Sequence, residues 1–464
     1  MKLINQFYKS HKKEIFLFFL MLALELAMIF ALSQRNGLSI FFRSDGTEYQ
    51  RLVLNIINHG NFSLDKEAPF ISTDYRTPAY PFWLATIYII FKSFIPAIFI
   101  GAAIFAFSAP LTYLIGKEIF KEKIAFWSAI LFAIEPWAVF QGGFLAAEQI
   151  GIPIFLLSVY IFCRYLKLKK PLYLYLSSLF LGLATMIRPA ALYFIFIFVF
   201  LAFISKQKYS ILRSLKISAL TILIFIAVLS PWIIRNKIVL NTWQLSSAAS
   251  NGVLYIESYN LNRYLGKITD EAQWEDVRQL IGIRNYELMK RADVSKIVAD
   301  YAIKEIKSNK SAFIAMHLKN MALFFVKNSY GNIFLDLKIN GADVQSRITG
   351  FLLKKDFFGL VYFIKNTSVG SKILILLSFL WPTIIILAIF GIYDVLREDY
   401  RNLLFWFLLL WILYSSALMA DLSDISRYKL SINVPLFMLA VFGFYKIKNF
   451  FTFSYKSRDA QRIV

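Results

Sequence analysis

The residues that could do chemistry in this sequence are carboxylates and guanidiniums placed beside turns at the ends of apolar stretches. Ser44-Asp45-Gly46-Thr47-Glu48-Tyr49 sets two acids about one helical turn apart. A carboxylate at a lipid–water boundary can take a proton from a hydroxyl or hold a divalent cation. Asp45 also stands where it would cap the helix that follows, the commoner use of such a residue. Tyr75-Arg76-Thr77-Pro78-Ala79-Tyr80-Pro81 makes a rigid turn that presents a guanidinium. Arginine binds phosphate through paired hydrogen bonds, and it reaches membrane headgroups equally well.

Met186-Ile187-Arg188-Pro189 puts an arginine between two apolar helices, which is costly unless it meets an anion or a wet cavity. Ser230-Pro231-Trp232-Ile233-Ile234-Arg235-Asn236 ends another apolar stretch with a cation, and Asp424-Ile425-Ser426-Arg427-Tyr428-Lys429 precedes the last one. Glu148 opens a further stretch, where a carboxylate ending a helix in headgroup water is the plain alternative. Glu25 and Glu135 read as functional acids within the membrane or as ordinary buried ones, and they stay outside the candidate set.

The elements that must position these residues follow from composition. Of 464 residues, 58% are hydrophobic and only 17% charged, against about 25% charged in soluble domains. So much apolar surface has to be solvated by lipid, and its continuous runs argue for helices rather than an alternating barrel. The net charge is +22, from 51 basic and 29 acidic residues. The basic residues lie in short runs between apolar stretches, which is membrane topology rather than nucleic-acid binding. The single Cys163 and the three scattered histidines give neither a disulfide framework nor a zinc centre.

Apolar stretches near 15–32, 94–116, 124–140, 146–163, 172–187, 189–204, 214–234, 371–393, 403–420 and 432–450 predict ten crossings, or twelve if 79–91 and 313–326 also span. The acid-free basic loops 164–170 and 205–216 place those loops and both termini in the cytoplasm by the positive-inside rule. Every candidate named above then faces outward, at the surface of a plasma (inner) membrane. The predicted fold is an all-α polytopic membrane protein. Its parts are an N-terminal transmembrane module over 1–234 that contains the first outer loop 33–78, a partly helical outer segment over 235–370, and a C-terminal transmembrane module over 371–464. In the first loop, a helix following Asp45 should lay Leu52, Ile56 and Ile57 on the membrane surface. Residues 270–326 read as partly amphipathic helix through Trp274, Leu280, Tyr286, Ile297, Tyr301 and Ile306.

The order and sidedness of these motifs resemble the GT-C superfamily of integral-membrane glycosyltransferases, nearest the branch of protein O-mannosyltransferases and aminoarabinose transferases. The resemblance covers most of residues 30–450 and is weak within 240–350. It implies a GT-C-like helical bundle with juxtamembrane helices. It also implies that Asp45 is the acidic residue that activates or surrounds the acceptor, with Glu48 and Tyr49 beside it. Arg76 and Arg188 would contact the polyprenyl phosphate, and Glu148, Arg235 and Arg427 would line the same substrate site. The O-mannosyltransferases carry an adjacent Asp-Glu pair, whereas here Gly46 follows Asp45 and the next acid is Glu48.

The expected activity is therefore transfer of a sugar from a polyprenyl-phosphate donor to an extracytoplasmic glycan, lipid or protein, with inversion. A transporter or flippase of lipid-linked glycans is the alternative, and it would place charges deep within spans and show repeated halves. No metal site is assigned, and a divalent cation stays open as a cofactor. The expected partners are the lipid-linked donor, the acceptor and the bilayer, with no nucleic acid.

Overall fold

The computed structural model describes residues 10–205, 210–267, 290–341, 344–399, 401–419 and 425–461. Among the described residues the only β-pairing is one antiparallel bridge, Ser63 with Ser72, and the rest of the regular structure is helical. In chain order the helices of the first module are α1 (Lys12–Asn36), α2 (Asp45–His59), α3 (Ala79–Phe91), α4 (Ile95–Phe105), α5 (Ser108–Ile119), α6 (Glu122–Ile134), α7 (Pro136–Gln141), α8 (Glu148–Leu168), α9 (Pro171–Ile187), α10 (Ile195–Ile204) and α11 (Ile211–Leu240). The middle segment holds α12 (Ser247–Tyr264), α13 (Ala292–Ser308), α14 (Lys310–Val326), α15 (Tyr330–Asp336), α16 (Val344–Leu353) and α17 (Phe357–Asn366). The last module is α18 (Val369–Ser378), α19 (Leu380–Glu398), α20 (Leu403–Met419) and α21 (Ile425–Gln461).

Among the described residues six helices are long and apolar enough to cross a membrane: Lys12–Asn36, Ile95–Ile119, Glu148–Leu168, Ile211–Leu240, Val369–Arg397 and Ser426–Lys448. The ten expected crossings are thus not all of full length. Pro171–Ile187, Pro189–Ile204 and Leu403–Met419 are shorter apolar helices. The stretch 124–140 is broken at Glu135-Pro136 into α6 and α7, because proline cannot continue a helix that needs its N–H. The 79–91 piece is a 13-residue helix, about 20 Å of rise, and it ends where Lys92 adopts a left-handed conformation.

Two helices form the centre. Helix α8 packs against α4, α5 and α9, while α21 packs against α6, α19 and α20. Both begin at the same end of the molecule, so their first turns carry Glu148 and Arg427 to one place. Helix α1 buries one stripe, Leu17, Met21, Glu25, Ile29 and Leu32, and leaves Phe16, Phe19 and Phe30 exposed, the pattern of a helix that faces lipid on one side. Helix α2 corrects an expectation. Leu52 is fully buried against protein, on the face that carries Tyr49 and Val53 toward α3, and only Ile57 is substantially exposed. Of the amphipathic pattern expected over 270–326, Trp274, Leu280 and Tyr286 lie outside the described residues, as does Asp424.

Candidate active site

The site is assembled from first turns and turns between helices. Asp45 is the first residue of α2, after Ser44 in a positive-φ conformation. Its carboxylate caps nothing. Oδ1 accepts from Arg76 Nη2 at 2.5 Å and Oδ2 accepts from Arg427 Nη2 at 2.5 Å. Glu48, one turn on, accepts from Arg76 Nε at 2.9 Å and from Lys290 Nζ at 2.7 Å. Glu148 is wholly buried; it accepts from Arg427 through both carboxylate oxygens, one contact at 2.9 Å, and from Arg188 Nη1 at 3.0 Å. The charges form a continuous chain from Lys290 through Glu48, Arg76, Asp45, Arg427 and Glu148 to Arg188. Four cations face three carboxylates, so the row keeps one positive charge in excess.

The turn residues explain why these groups meet. Thr77 donates to the carbonyl of Ile187 at 2.8 Å, fastening the Arg76 turn to the Arg188 turn. Tyr80 donates to Gln149 at 3.2 Å and packs edge-on against Tyr49, whose ring lies under the Arg76 guanidinium at 5.1 Å. At Gly151, one turn after Glu148, a Cβ would sit 3.1 Å from Ile187 and 3.4 Å from the Arg188 stem, so the missing side chain gives Arg188 its path to Glu148. At Gly46 a Cβ would sit 3.3 Å from Leu145 and from the Phe41 carbonyl. A second acid cannot stand there unless that packing gives way, and Glu48 supplies it one turn later.

Burial alone would raise the Asp45 carboxyl, but the Arg76 and Arg427 guanidiniums outweigh it and hold the group well below the usual carboxylate range. Asp45 is therefore an ionised acceptor of hydrogen bonds rather than a strong proton sink. Burial, opposed by Arg76, pushes the Tyr49 hydroxyl up to about 12.

Arg235, expected at the same site, is not brought to this row. It donates to the carbonyl of Thr73 at 2.9 Å and stacks over Trp232 at 4.6 Å. Trp232 Nε1 donates to the Leu245 carbonyl at 3.0 Å, and Asn236 donates to that of Gln244 at 3.0 Å. The motif around Pro231 thus builds the support of the first loop. Lys290 and Asp74 are not marked by the sequence: Lys290 lies in a polar segment, and Asp74, though it precedes the Tyr75-Arg76 turn, has no spacing that sets it apart from an ordinary loop acid. Asp74 is buried and accepts from Ser247 and from the Ala248 N–H (3.1 Å), which docks the first turn of α12 onto the first loop.

Two hollows flank the row. One is polar and touches Asp45, Arg427, Arg43, Trp137, Gln141 and Asn332. The other is mostly apolar, lined by Ile152, Phe155, Ala184 and Met419, with Arg188 and Tyr428 as its polar end. Among the described residues no three His, Cys, Asp or Glu side chains gather as metal ligands. The carboxylates of the row face guanidinium and ammonium groups.

No curated protein matches the chain. Among solved structures it is similar to the archaeal oligosaccharyltransferase AglB from Archaeoglobus fulgidus in complex with an inhibitory peptide and a dolichol-phosphate, at 16% identity and a TM-score of 0.49 over 98% of this chain and 52% of that one. The Archaeoglobus fulgidus oligosaccharyltransferase in complex with Zn and sulfate gives 15% identity and a TM-score of 0.47, over 94% of this chain and 50% of that one. The chain thus spans about half the length of these structures. Residues 75–234 match the family model of dolichyl-phosphate-mannose-protein mannosyltransferases. Over that stretch, which carries Arg76, Glu148 and Arg188 and stops one residue short of Arg235, the chain matches a family of GT-C membrane glycosyltransferases.

Proposed function

We propose that this protein transfers a sugar from a polyprenyl-phosphate donor to an acceptor on the extracytoplasmic side of the plasma membrane, with inversion. The observation that carries the reading is the ion-pair row with a polar hollow at Asp45 and an apolar hollow at Arg188. A lipid-linked donor needs an apolar channel ending at a cation, and an acceptor needs a polar space ending at an anion.

Arg188 is the cation for the donor phosphate. Among the described residues it makes one ion pair, with Glu148, and so keeps donors of its planar fork for an anion at the edge of the apolar hollow. Arg427 stands between the two sides and stabilises charge on the departing phosphate, the electrostatic contribution that is usually the largest. Asp45 accepts a hydrogen bond from the acceptor hydroxyl and aims its oxygen at the anomeric carbon. The new C–O bond forms as the bond from that carbon to the phosphate oxygen breaks. The phosphate leaves with the electron pair, and the hydroxyl proton passes to it or to water, since Asp45 holds protons weakly. Arg76, spent on Asp45 and Glu48, positions the carboxylates.

The test uses the full chain in nanodiscs with a radiolabelled polyprenyl-phosphate sugar and a crude envelope acceptor. Free polyprenyl phosphate should appear only when acceptor is present. Asp45→Asn should cut turnover at least 100-fold, the scale of one lost electrostatic contact in the transition state, with donor binding nearly intact. Arg188→Ala should instead weaken donor binding. Full turnover by Asp45→Asn would remove Asp45 from the mechanism.

A further inference from the structure

The end of the molecule away from the ion-pair row has a charge balance of its own. Arg164 lies sixteen residues beyond Glu148 on α8, and Lys446 nineteen beyond Arg427 on α21. These separations are about 24 and 28 Å of helix rise, close to the roughly 30 Å of a hydrocarbon core. This end is therefore the opposite water–lipid boundary, and here almost every acid is already matched. Glu118 takes Arg164 and Lys167, each at 3.2 Å, Glu122 takes Lys13 at 2.7 Å, Glu14 faces Lys117 at 3.9 Å, and Asp394 takes Lys446 at 2.6 Å. Among the described residues no carboxylate lies within ion-pair distance of Lys121 or Lys123.

Those two lysines and Lys446 border one hollow of about 350 Å³ between the α5–α6 turn and α21. Its remaining wall is apolar and aromatic. Phe120 and Phe442 lie 5.1 Å apart ring to ring, and Lys123 stands 5.1 Å over Tyr445. Lys446 is paired with Asp394, whereas Lys121 and Lys123 have no carboxylate partner among the described residues; two such ammoniums beside apolar rings, at the depth where headgroups meet acyl chains, suit a ligand that is anionic at one end and greasy at the other. We propose that this hollow binds an anionic phospholipid, its phosphate held by Lys121 and Lys123 and its glycerol and first acyl carbons lying along Phe120 and Phe442. A free phosphate would share the ammoniums and leave the rings unused. The site lies a bilayer's thickness from the ion-pair row and does not depend on the proposed transfer reaction.

Native mass spectrometry of the full chain, titrated with phosphatidylglycerol and with phosphatidylcholine of the same acyl chains, tests it. The wild type should retain one phosphatidylglycerol in preference to phosphatidylcholine. Lys121→Gln/Lys123→Gln should weaken phosphatidylglycerol about thirtyfold, the effect of two ammoniums at a charged surface, and leave phosphatidylcholine unchanged. Lys121→Arg/Lys123→Arg should keep wild-type binding. Lys117→Gln, a lysine of the same boundary paired with Glu14, should also bind as the wild type. Equal retention by wild type and the glutamine double variant would overturn the proposal, as would an equal loss in Lys117→Gln, which marks diffuse surface charge. Displacement of the lipid by millimolar inorganic phosphate would overturn it too, by making a free anion the ligand.

Discussion

Asp45 shows how little a side chain's type says until its neighbours are known. In the sequence it is as good a helix cap as a catalytic acid, and the two readings part only when Arg76 and Arg427 are found on its two oxygens. Their charge outweighs its burial and lowers its folded-state pKa. A carboxyl so depressed contributes stability that is present above its unfolded value of about 3.9 and is lost as pH falls toward the folded value. The gap in melting temperature between wild type and Asp45→Asn should thus stay constant from pH 7 to 5 and narrow only below about pH 4. A gap that closes between pH 7 and 5 would mean that the carboxyl titrates there and that the guanidiniums do not hold it. Arg235 makes the complementary point: a guanidinium ending a span on the expected side is spent on a backbone carbonyl and a tryptophan ring.

At the scale of elements, the site depends on how the first turn of α21 is held. Lys429, two residues after Arg427, is fully buried, donates to the carbonyls of Phe325 (3.2 Å) and Lys327, and lies 4.1 Å over the ring of Trp381. Ser426 accepts from the Ser329 N–H at 2.6 Å, and Trp381 donates to Tyr330, which donates to Glu135 at 2.8 Å. The end of α14 and the start of α15 thus grip the start of α21, and burial with the nearby Glu135 raises the Tyr330 hydroxyl far above its usual range. Lys429→Met would leave the two carbonyls without their donor, at a cost of about 2–4 kcal/mol. Thermal unfolding in nanodiscs should show that loss. Turnover should fall more than donor binding, because Arg427 shifts while Arg188 keeps its place on another turn. An unchanged melting temperature would mean that the grip is dispensable. The middle segment, the least readable part of the sequence, is therefore a structural partner of the site.

For the whole molecule, the proposed sidedness follows from loop charge and can be checked directly. Cys163 is buried, so labelling of the wild type should be low. A cysteine at Asn251 should react with a membrane-impermeant maleimide on intact cells, and one at Lys169 should react only after the membrane is opened. The reverse pattern would move the ion-pair row to the cytoplasmic face. Apolar runs and basic loops made the helical, membrane-embedded class readable from the chain alone, because the cost of placing charge or unpaired backbone in lipid is set locally, residue by residue. The same locality explains why Asp45, Arg76, Glu148, Arg188 and Arg427 stood out, each a charge beside an apolar helix. Which of them meet was not local. It required the Thr77–Ile187 bond, the space at Gly151 and the shared end of α8 and α21 to bring distant turns together. Lys290 joined them and Arg235 was turned aside for the same reason: an ion pair forms only where packing brings two charges within a few ångströms, and the fold alone determines that separation.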